Sequence, residues 1–236
     1  MNHVTPVPGR GRALPVRWPD LLARAQTLAS GTSRRILGIT GAPGAGKSTL
    51  ARRLVDALSG TAVLVEMDGY HLAQAELERL GRAERKGAPD TFDAAGYVAL
   101  LRRLRAPDAS TVYAPEFRRA IEEPVAGSVA VPPGVPLVVT EGNYLLLDTK
   151  PWSAIRGLLD EVWFLAPDEE TRRGWLTARH CRYGRTVAQA AARTSGSDER
   201  NARLIAQTSS RADMLLDPAQ WAYPDMETPP ASETLN

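Results

Sequence analysis

The stretch GAPGAGKS, residues 41–48, matches the pattern G-x-x-x-x-G-K-[ST]. Its glycines let the backbone curl so that successive N–H groups point inward at an anion, and a following helix N-terminus adds partial positive charge. In such a loop we expect Lys47 to face solvent and to reach the β- and γ-phosphates of a nucleotide, and the Ser48 hydroxyl to ligate Mg²⁺. The motif predicts a phosphate-binding loop with ATP and Mg²⁺ as cofactors. We expect the nucleotide to be bound by Gly41, Ala42, Gly44, Ala45, Gly46, Lys47, Ser48 and Thr49.

The motif lies between a predicted strand at 35–40 and a predicted helix at 47–58, and the same alternation continues along the chain. Strands alternating with helices predict an α/β protein of the P-loop NTPase class, with a parallel sheet covered by helices on both faces. Apolar runs predict further strands at 62–67, 136–140, 161–166 and 213–216. Helical patterns are found at 19–29, from the N-cap Asp93 to about 104, and from 167 onward.

The chain has 236 residues, enough for one large domain. We predict a flexible arm at 1–16, a single domain at 17–224 and a disordered tail at 225–236, because both ends lack apolar periodicity.

Composition narrows the class of partner. Lys and Arg outnumber Asp and Glu by only 29 to 27, which gives no general argument for nucleic-acid binding. The single cysteine suits a reducing cytoplasm, and there is neither an apolar run long enough to predict a membrane span nor the apolar region of a secretory signal. We therefore expect a cytoplasmic protein that acts on a small molecule, has no nucleic-acid or membrane partner, and is a candidate for homodimer formation.

Two carboxylates follow predicted strands, and ligands of open α/β sheets bind at the carboxyl ends of the strands. Asp68 follows the strand at 62–67, and Glu141 follows the strand at 136–140. We interpret Asp68 as the base that orients an attacking hydroxyl, and Glu141 as part of the metal shell with Ser48. Either carboxylate is alternatively a loop cap, and Glu66 is a third candidate acid on the same strand face as Asp68.

Further segments resemble the superfamily of uridine kinases, phosphoribulokinases and bacterial pantothenate kinases. They are MDGYH at 67–71, GAPDTFD at 87–93, YAPEFRRAIEEP at 113–124, EGNY at 141–144 and RAD at 211–213. The resemblance covers roughly residues 34–217, and the closest subgroup is sometimes labelled fructose transport kinases, a label from which we take no acceptor.

The resemblance implies that Asp68 is the catalytic base and that the segments near it line an acceptor pocket. The residues it assigns to the acceptor are Asp68, Tyr70, His71, Phe92, Tyr113, Phe117, Arg118 and Glu141. Gly69 and the pair at 117–118 depart from the uridine kinase pattern, and Gly69 is closer to pantothenate kinases. Phe92 is alternatively a core residue, and Lys86 and Arg85 are either ligands of an acceptor anion or surface charge.

An arginine-rich segment at about 172–192 is predicted to form a helical lid over the nucleotide. Its arginines are Arg172, Arg173, Arg179, Arg182 and Arg185. Arg179 and Arg182 are three residues apart on one helix face, and we assign them to the catalytic group because guanidinium groups stabilise charge on a transferring phosphoryl group. Gly184 is a candidate hinge, and the alternative is a solvated basic face.

Taken together, these patterns predict an ATP-dependent small-molecule kinase, with uridine or cytidine as the favoured acceptor and pantothenate or a sugar as alternatives. A P-loop switch that regulates a partner protein is the alternative from another class. The chain lacks the N/T-K-x-D signature of a guanine-specific switch.

Overall fold

A computed structural model describes residues 16–106 and 110–218. The predicted tail at 225–236 and residues 1–15 of the predicted arm lie outside the described residues. The strands are β1 (Arg35–Gly41), β2 (Ala62–Glu66), β3 (Val112–Arg118), β4 (Glu123–Val131), β5 (Leu137–Glu141), β6 (Glu161–Leu165) and β7 (Met214–Leu216). The helices are α1 (Trp18–Ala29), α2 (Lys47–Ala57), α3 (Gln74–Arg79), α4 (Ala94–Arg105), α5 (Glu169–Arg182), α6 (Val187–Ser195) and α7 (Ser197–Ala206).

Five strands form a parallel sheet in the order β2-β5-β1-β6-β7, which confirms the predicted fold class. One face packs on α1 and α2, through residues such as Leu21 and Leu54. The other face packs on α4 and α7, through residues such as Leu101 and Ile205. The strands read as continuous apolar runs because both faces of the sheet are covered.

The order of the strands places β5 between β1 and β2. Residue pairs align Ile39 with Glu141 across β1 and β5, and Glu66 with Glu141 across β2 and β5. The three loops that follow these strands therefore start at one level of one sheet edge. This arrangement brings the phosphate-binding loop, Asp68 and Glu141 together.

Helix α4 begins as its sequence predicts. The Asp93 carboxylate accepts a hydrogen bond from the Gly96 backbone N–H at 2.8 Å, which caps the first turn. Phe92 and Tyr97, on either side of this cap, are both buried in the same core.

An antiparallel hairpin of β3 and β4 was not predicted from the sequence. Its strands contain Pro115 and Pro124, carry a bulge between Ala114 and Glu116, and are largely exposed, so they lack the apolar alternation of a half-buried strand. The hairpin lies beside β2 and the 3₁₀ segment Met67–Tyr70. Within the described residues, no helix is long and apolar enough to span a membrane.

Candidate active site

The phosphate-binding loop joins β1 to α2, the context that the motif requires. Gly44 has φ +83°, and a Cβ at this position would lie 2.7 Å from the backbone oxygen of Arg172 and 2.8 Å from Cβ of Leu176. Glycine at this position lets α5 lie directly against the loop. The loop is thus walled by α5 on one side and by the sheet edge on the other.

Lys47 is the first residue of α2, and its side chain is 8% exposed. The Nζ atom donates to the backbone oxygens of Gly41 at 2.9 Å and Ala42 at 3.1 Å. The expectation that Lys47 faces solvent is therefore wrong. Side chains of a helix lean toward its N-terminus, so the first helical residue reaches back over the loop rather than outward. Burial lowers the pKa of Lys47, and the nearby Glu141 carboxylate opposes that shift.

Ser48 and Glu141 place two oxygen atoms of the kind that coordinate metal ions beside Lys47. The Ser48 hydroxyl donates to Glu141 Oε1 at 2.6 Å, and Glu141 is 5% exposed. Burial raises the pKa of Glu141, with further contributions from Asp68 and Glu66, while Lys47 opposes it. A hydroxyl and a carboxylate fit the preference of Mg²⁺ for a few protein oxygens with phosphates and waters completing its shell. The described residues contain no cluster of three or more His, Cys, Asp or Glu side chains that could hold a metal ion.

Asp68 is the second residue of the 3₁₀ segment Met67–Tyr70, which follows the edge strand β2, and it is partly exposed. Its Oδ2 is 3.6 Å from a terminal nitrogen of Arg119. The negative charge of Asp68 acts on the pKa of Lys47, Glu141 and Arg179, so it faces the same space as the phosphate-binding groups. Asp68 is thus close to where a γ-phosphate would be bound and remains accessible.

Glu66, the third candidate acid, is engaged elsewhere. One of its carboxylate oxygens is 2.9 Å from a terminal nitrogen of Arg52. Glu66 is therefore closely paired with Arg52 of α2, whereas Asp68 is 3.6 Å from its cation, Arg119, and makes a backbone contact with His71 on the side of the acceptor segments.

His71 links Asp68 to the acceptor side of the site, the region formed by the residues predicted to bind the acceptor. Its Nδ1 is 2.9 Å from the Asp68 backbone oxygen and acts as the donor, because a carbonyl oxygen only accepts. The imidazole ring lies 4.0 Å from the Phe92 ring and 4.8 Å from the Phe117 ring, centroid to centroid. Burial lowers the pKa of His71, the charge and backbone hydrogen bond of Asp68 oppose this shift, and the cations Lys86 and Arg119 add to it. The ring lies between Phe92 and Phe117, directly beside the base.

The predicted acceptor aromatics are not equivalent. Phe92 is 7% exposed and packs edge-on against Tyr144 and Trp152, so it belongs to the core. Tyr70 packs against Tyr97 at 5.3 Å. Phe117 is partly exposed and lies between His71 and two cations, whereas Tyr113 is 59% exposed on β3.

Arg118 is exposed, and its neighbour Arg119 is the arginine that approaches Asp68. Arg119 is the first residue of the turn after β3, and its guanidinium carbon lies 5.8 Å from the centre of the Phe117 ring. Arg119 was not predicted, because its approach to Asp68 depends on a hairpin turn that the sequence pattern does not reveal.

Helices α5 and α6 span the predicted lid, and their arginines have different environments. Arg172 is 1% exposed and donates to the Pro43 backbone oxygen at 2.9 Å, to Glu169 at 2.7 Å and to Glu199 at 3.1 Å. Arg172 therefore connects the phosphate-binding loop to α5 and α7, and its contacts are with other residues of the protein rather than with a nucleotide.

The charge of Arg179 acts on Lys47, as that of Arg172 does, and Arg179 also interacts electrostatically with Asp68 and Glu141. Burial lowers its pKa and Arg119 lowers it further, while Asp68 and Glu141 oppose the shift. Arg182 is exposed near the end of α5, and Gly184 has φ +88° in the turn before α6. The lid also reaches the acceptor side, since Arg193 of α6 donates to the Lys86 backbone oxygen at 3.0 Å.

Comparison with known proteins identifies the family to which the chain belongs. The profile described as "Phosphoribulokinase / Uridine kinase family" matches residues 36–220, and the chain belongs to that family. A Schizosaccharomyces pombe protein named provisionally as a uridine kinase is 32% identical over 210 residues, 84% of this chain and 89% of that protein. The Escherichia coli protein YggC is 29% identical over 202 residues, 84% of this chain and 83% of its own length.

Among solved structures, a Silicibacter sp. TM1040 protein named provisionally as a fructose transport system kinase superposes with a TM-score of 0.74. It is 35% identical, and the match covers 84% of this chain and 98% of that one. The protein is therefore a P-loop kinase, a phosphotransferase that acts on small-molecule alcohols.

Proposed function

We propose that the protein transfers the γ-phosphoryl group of ATP to a hydroxyl of a small-molecule alcohol, with Mg²⁺ as the metal. The observation that carries the proposal is the convergence of four groups at adjacent strand ends: Lys47, Ser48, Glu141 and Asp68. The first three suit a nucleotide and its metal. Asp68 is an additional, accessible carboxylate, which is what a hydroxyl acceptor needs.

In this reaction the acceptor oxygen bonds to the γ-phosphorus, the bond from that phosphorus to the oxygen bridging the β-phosphate breaks, and ADP leaves. Asp68 binds the hydroxyl and accepts its proton. Lys47 and Arg179 stabilise negative charge on the transferring group. Ser48 and Glu141 would hold Mg²⁺, which neutralises charge on the phosphates when bound.

The identity of the alcohol that accepts the phosphoryl group is a separate and more specific part of the proposal. Uridine or cytidine was predicted because aromatic side chains suit a planar base, with stacking worth about 1–3 kcal/mol per base. Of the four aromatics behind that prediction, Phe92 is in the core, Tyr70 is partly exposed but packs on Tyr97, and Tyr113 is exposed on β3. Phe117 is partly exposed and packs on His71, so the support for a nucleoside depends mainly on this ring. Uridine and cytidine stay in the test, together with pantothenate and fructose.

The test is ADP release with ATP, Mg²⁺ and each of these acceptors at millimolar concentration. We expect at least one alcohol to stimulate ADP release by the wild-type protein and none to do so with Lys47→Ala, whose folding is checked by circular dichroism. Stimulation that survives in a folded Lys47→Ala protein would contradict the assignment of the phosphate-binding loop. ATP hydrolysis that no alcohol changes would favour a P-loop switch instead.

A further inference from the structure

Two cations approach the same aromatic ring on the acceptor side of Asp68. Nζ of Lys86 lies 5.5 Å from the centre of the Phe117 ring, and Cζ of Arg119 lies 5.8 Å from it. The charges of both side chains also act on His71, whose ring packs on Phe117. This region therefore has aromatic rings with two cations beside them.

Among the described residues Lys86 has no carboxylate partner, and the carboxylate partner of Arg119 is Asp68 itself. Lys86 donates to the Glu122 backbone oxygen at 2.7 Å and weakly to the Gln74 side-chain oxygen at 3.4 Å, and no described carboxylate lies within salt-bridge distance of it. Arg119 approaches Asp68 at 3.6 Å, longer than the roughly 2.7–2.9 Å of a strong charge-assisted hydrogen bond.

Nearby arginines behave differently. Arg85, the other candidate for an acceptor anion, is 2.6 Å from Asp90, and Arg82 is 3.5 Å from the same carboxylate. These two arginines share one carboxylate and lie away from the Phe117 ring in the hydrogen-bond and ring contacts that the structure shows. Of the four cations, Lys86 and Arg119 are the two that approach the Phe117 ring, next to the group that would bind the acceptor hydroxyl.

We propose that Lys86 and Arg119 form an anion subsite, and that the acceptor is a small alcohol carrying a carboxylate or phosphate group. This inference rests on the proposed kinase function and adds the substrate class. The hydroxyl binds Asp68 while the anionic group binds the two cations across the Phe117 ring. Because Arg119 is 3.6 Å from Asp68, the anionic group and the hydroxyl belong to one compact molecule.

The lid would close over this subsite. The guanidinium carbon of Arg119 is 5.4 Å from the centre of the Tyr183 ring, at the C-terminal end of α5. The Lys86 backbone oxygen accepts from Arg193 of α6, and the Gly87 backbone oxygen accepts from Asn201 of α7 at 3.2 Å. An acceptor bound here is in contact with the elements that also position Arg179.

The experiment uses matched pairs of alcohols that differ by one charged group: pantothenate and pantothenol, glycerate and glycerol, ribulose 5-phosphate and ribulose, with uridine as a neutral nucleoside. We expect the anionic member of at least one pair to exceed its neutral partner about tenfold or more in kcat/KM, measured by ADP release. The pair that responds distinguishes a carboxylate from a phosphate. Uridine or another neutral alcohol as the best acceptor of an active enzyme would overturn the anion subsite and leave the kinase function standing.

Substitutions of Lys86 and Arg119 test whether these two residues cause the preference for an anionic acceptor. Lys86→Gln and Arg119→Gln should raise the KM of the anionic acceptor about tenfold or more, with less than about a threefold change in the KM of ATP. Arg102→Gln, which removes an exposed cation on α4, is the matched control and should change neither KM. An equal loss toward both members of a pair would mean that the cations act on Asp68 or on folding, and would contradict the subsite.

A binding measurement is independent of turnover. With the nucleotide site saturated by a non-hydrolysable ATP analogue and Mg²⁺, inorganic phosphate should raise the unfolding temperature of the wild type and of Arg102→Gln. It should have no such effect on Lys86→Gln or Arg119→Gln. No stabilisation of the wild type, or equal stabilisation of all four proteins, would overturn the proposal even if no alcohol in the panel is phosphorylated.

Discussion

At the scale of single residues, Asp68 is the group on which the chemical step depends. It is partly exposed, and its nearest charged partner is Arg119. We expect Asp68→Asn to bind ATP as the wild type does and to lose about 10²–10⁴-fold in kcat, because an amide keeps the shape but does not accept the hydroxyl proton. Steady-state ADP release and nucleotide titration measure the two effects separately.

Glu66→Gln is the control for this prediction. Glu66 has the same carboxylate and lies two residues away, but it pairs with Arg52. We expect its kcat to stay within about threefold of the wild type, because exposed ion pairs contribute little. A loss under tenfold in Asp68→Asn together with a large loss in Glu66→Gln would transfer the base assignment to Glu66.

At the scale of secondary structure elements, Arg172 connects three parts of the chain that are far apart in sequence. Its buried guanidinium binds Pro43 of the phosphate-binding loop, Glu169 of α5 and Glu199 of α7. Arg172→Met should lower the free energy of unfolding by about 3–5 kcal/mol, because it leaves a buried carbonyl and Glu199 without this partner. It should also weaken nucleotide binding, since the loop loses its contact with α5.

Arg173→Met is the matched control. Arg173 is exposed and also contacts Glu199, at 3.1 Å, so its loss should cost less than about 1 kcal/mol. Denaturant titration of both variants, with and without ATP and Mg²⁺, measures the difference. Equal destabilisation by the two substitutions would show that Arg172 has no special role in holding the loop.

The same helix carries a second prediction, about catalysis. Arg179 is near enough to Asp68 and Glu141 for their charges to act on its pKa, whereas Arg182 is exposed. We expect Arg179→Ala to lower kcat about 10²-fold or more with a small change in the KM of ATP, because a group that meets charge in the transition state contributes mainly to rate. The effect of Arg182→Ala, also predicted to be catalytic, should be the smaller of the two. If both substitutions only raise the KM of ATP, α5 is a binding surface and not a catalytic lid.

At the scale of the whole molecule, the sequence predicts the parts that are set by local pattern. The sheet and the loop at 41–48 follow from apolar runs and a motif, and these elements form where the pattern places them. The hairpin has no such pattern, because most of its residues are exposed or half-buried and its strands contain prolines. The acceptor side is built across that hairpin, so the choice of Arg119 over Arg118, and the placement of Phe92 in the core, depend on tertiary contacts that the sequence does not display.

Gly69 allows the 3₁₀ segment that carries Asp68 to pack directly against the β3–β4 hairpin. A Cβ at Gly69 would collide with the Pro115 backbone oxygen and carbon, so the 3₁₀ segment that carries Asp68 touches the β3 backbone directly. This contact explains a glycine at a position where the sequence departs from uridine kinases. It also fixes the distance between the base and the Phe117–Arg119 end of the hairpin.

We therefore expect Gly69→Ala to push the hairpin away from Asp68. The free energy of unfolding should fall by about 1–3 kcal/mol, the usual cost of overpacking, and the acceptor KM should rise more than the KM of ATP. Gly134→Ala is the control, because a Cβ there meets no atom within 4 Å and the residue is exposed. Surface substitutions of that kind change stability by about 0.5 kcal/mol or less. If Gly69→Ala had the same stability and the same acceptor KM as Gly134→Ala, the hairpin would not be held in a fixed position against the 3₁₀ segment. Lys86 and Arg119 would then have no fixed relation to the base, and the compact anionic acceptor would lose its geometric support.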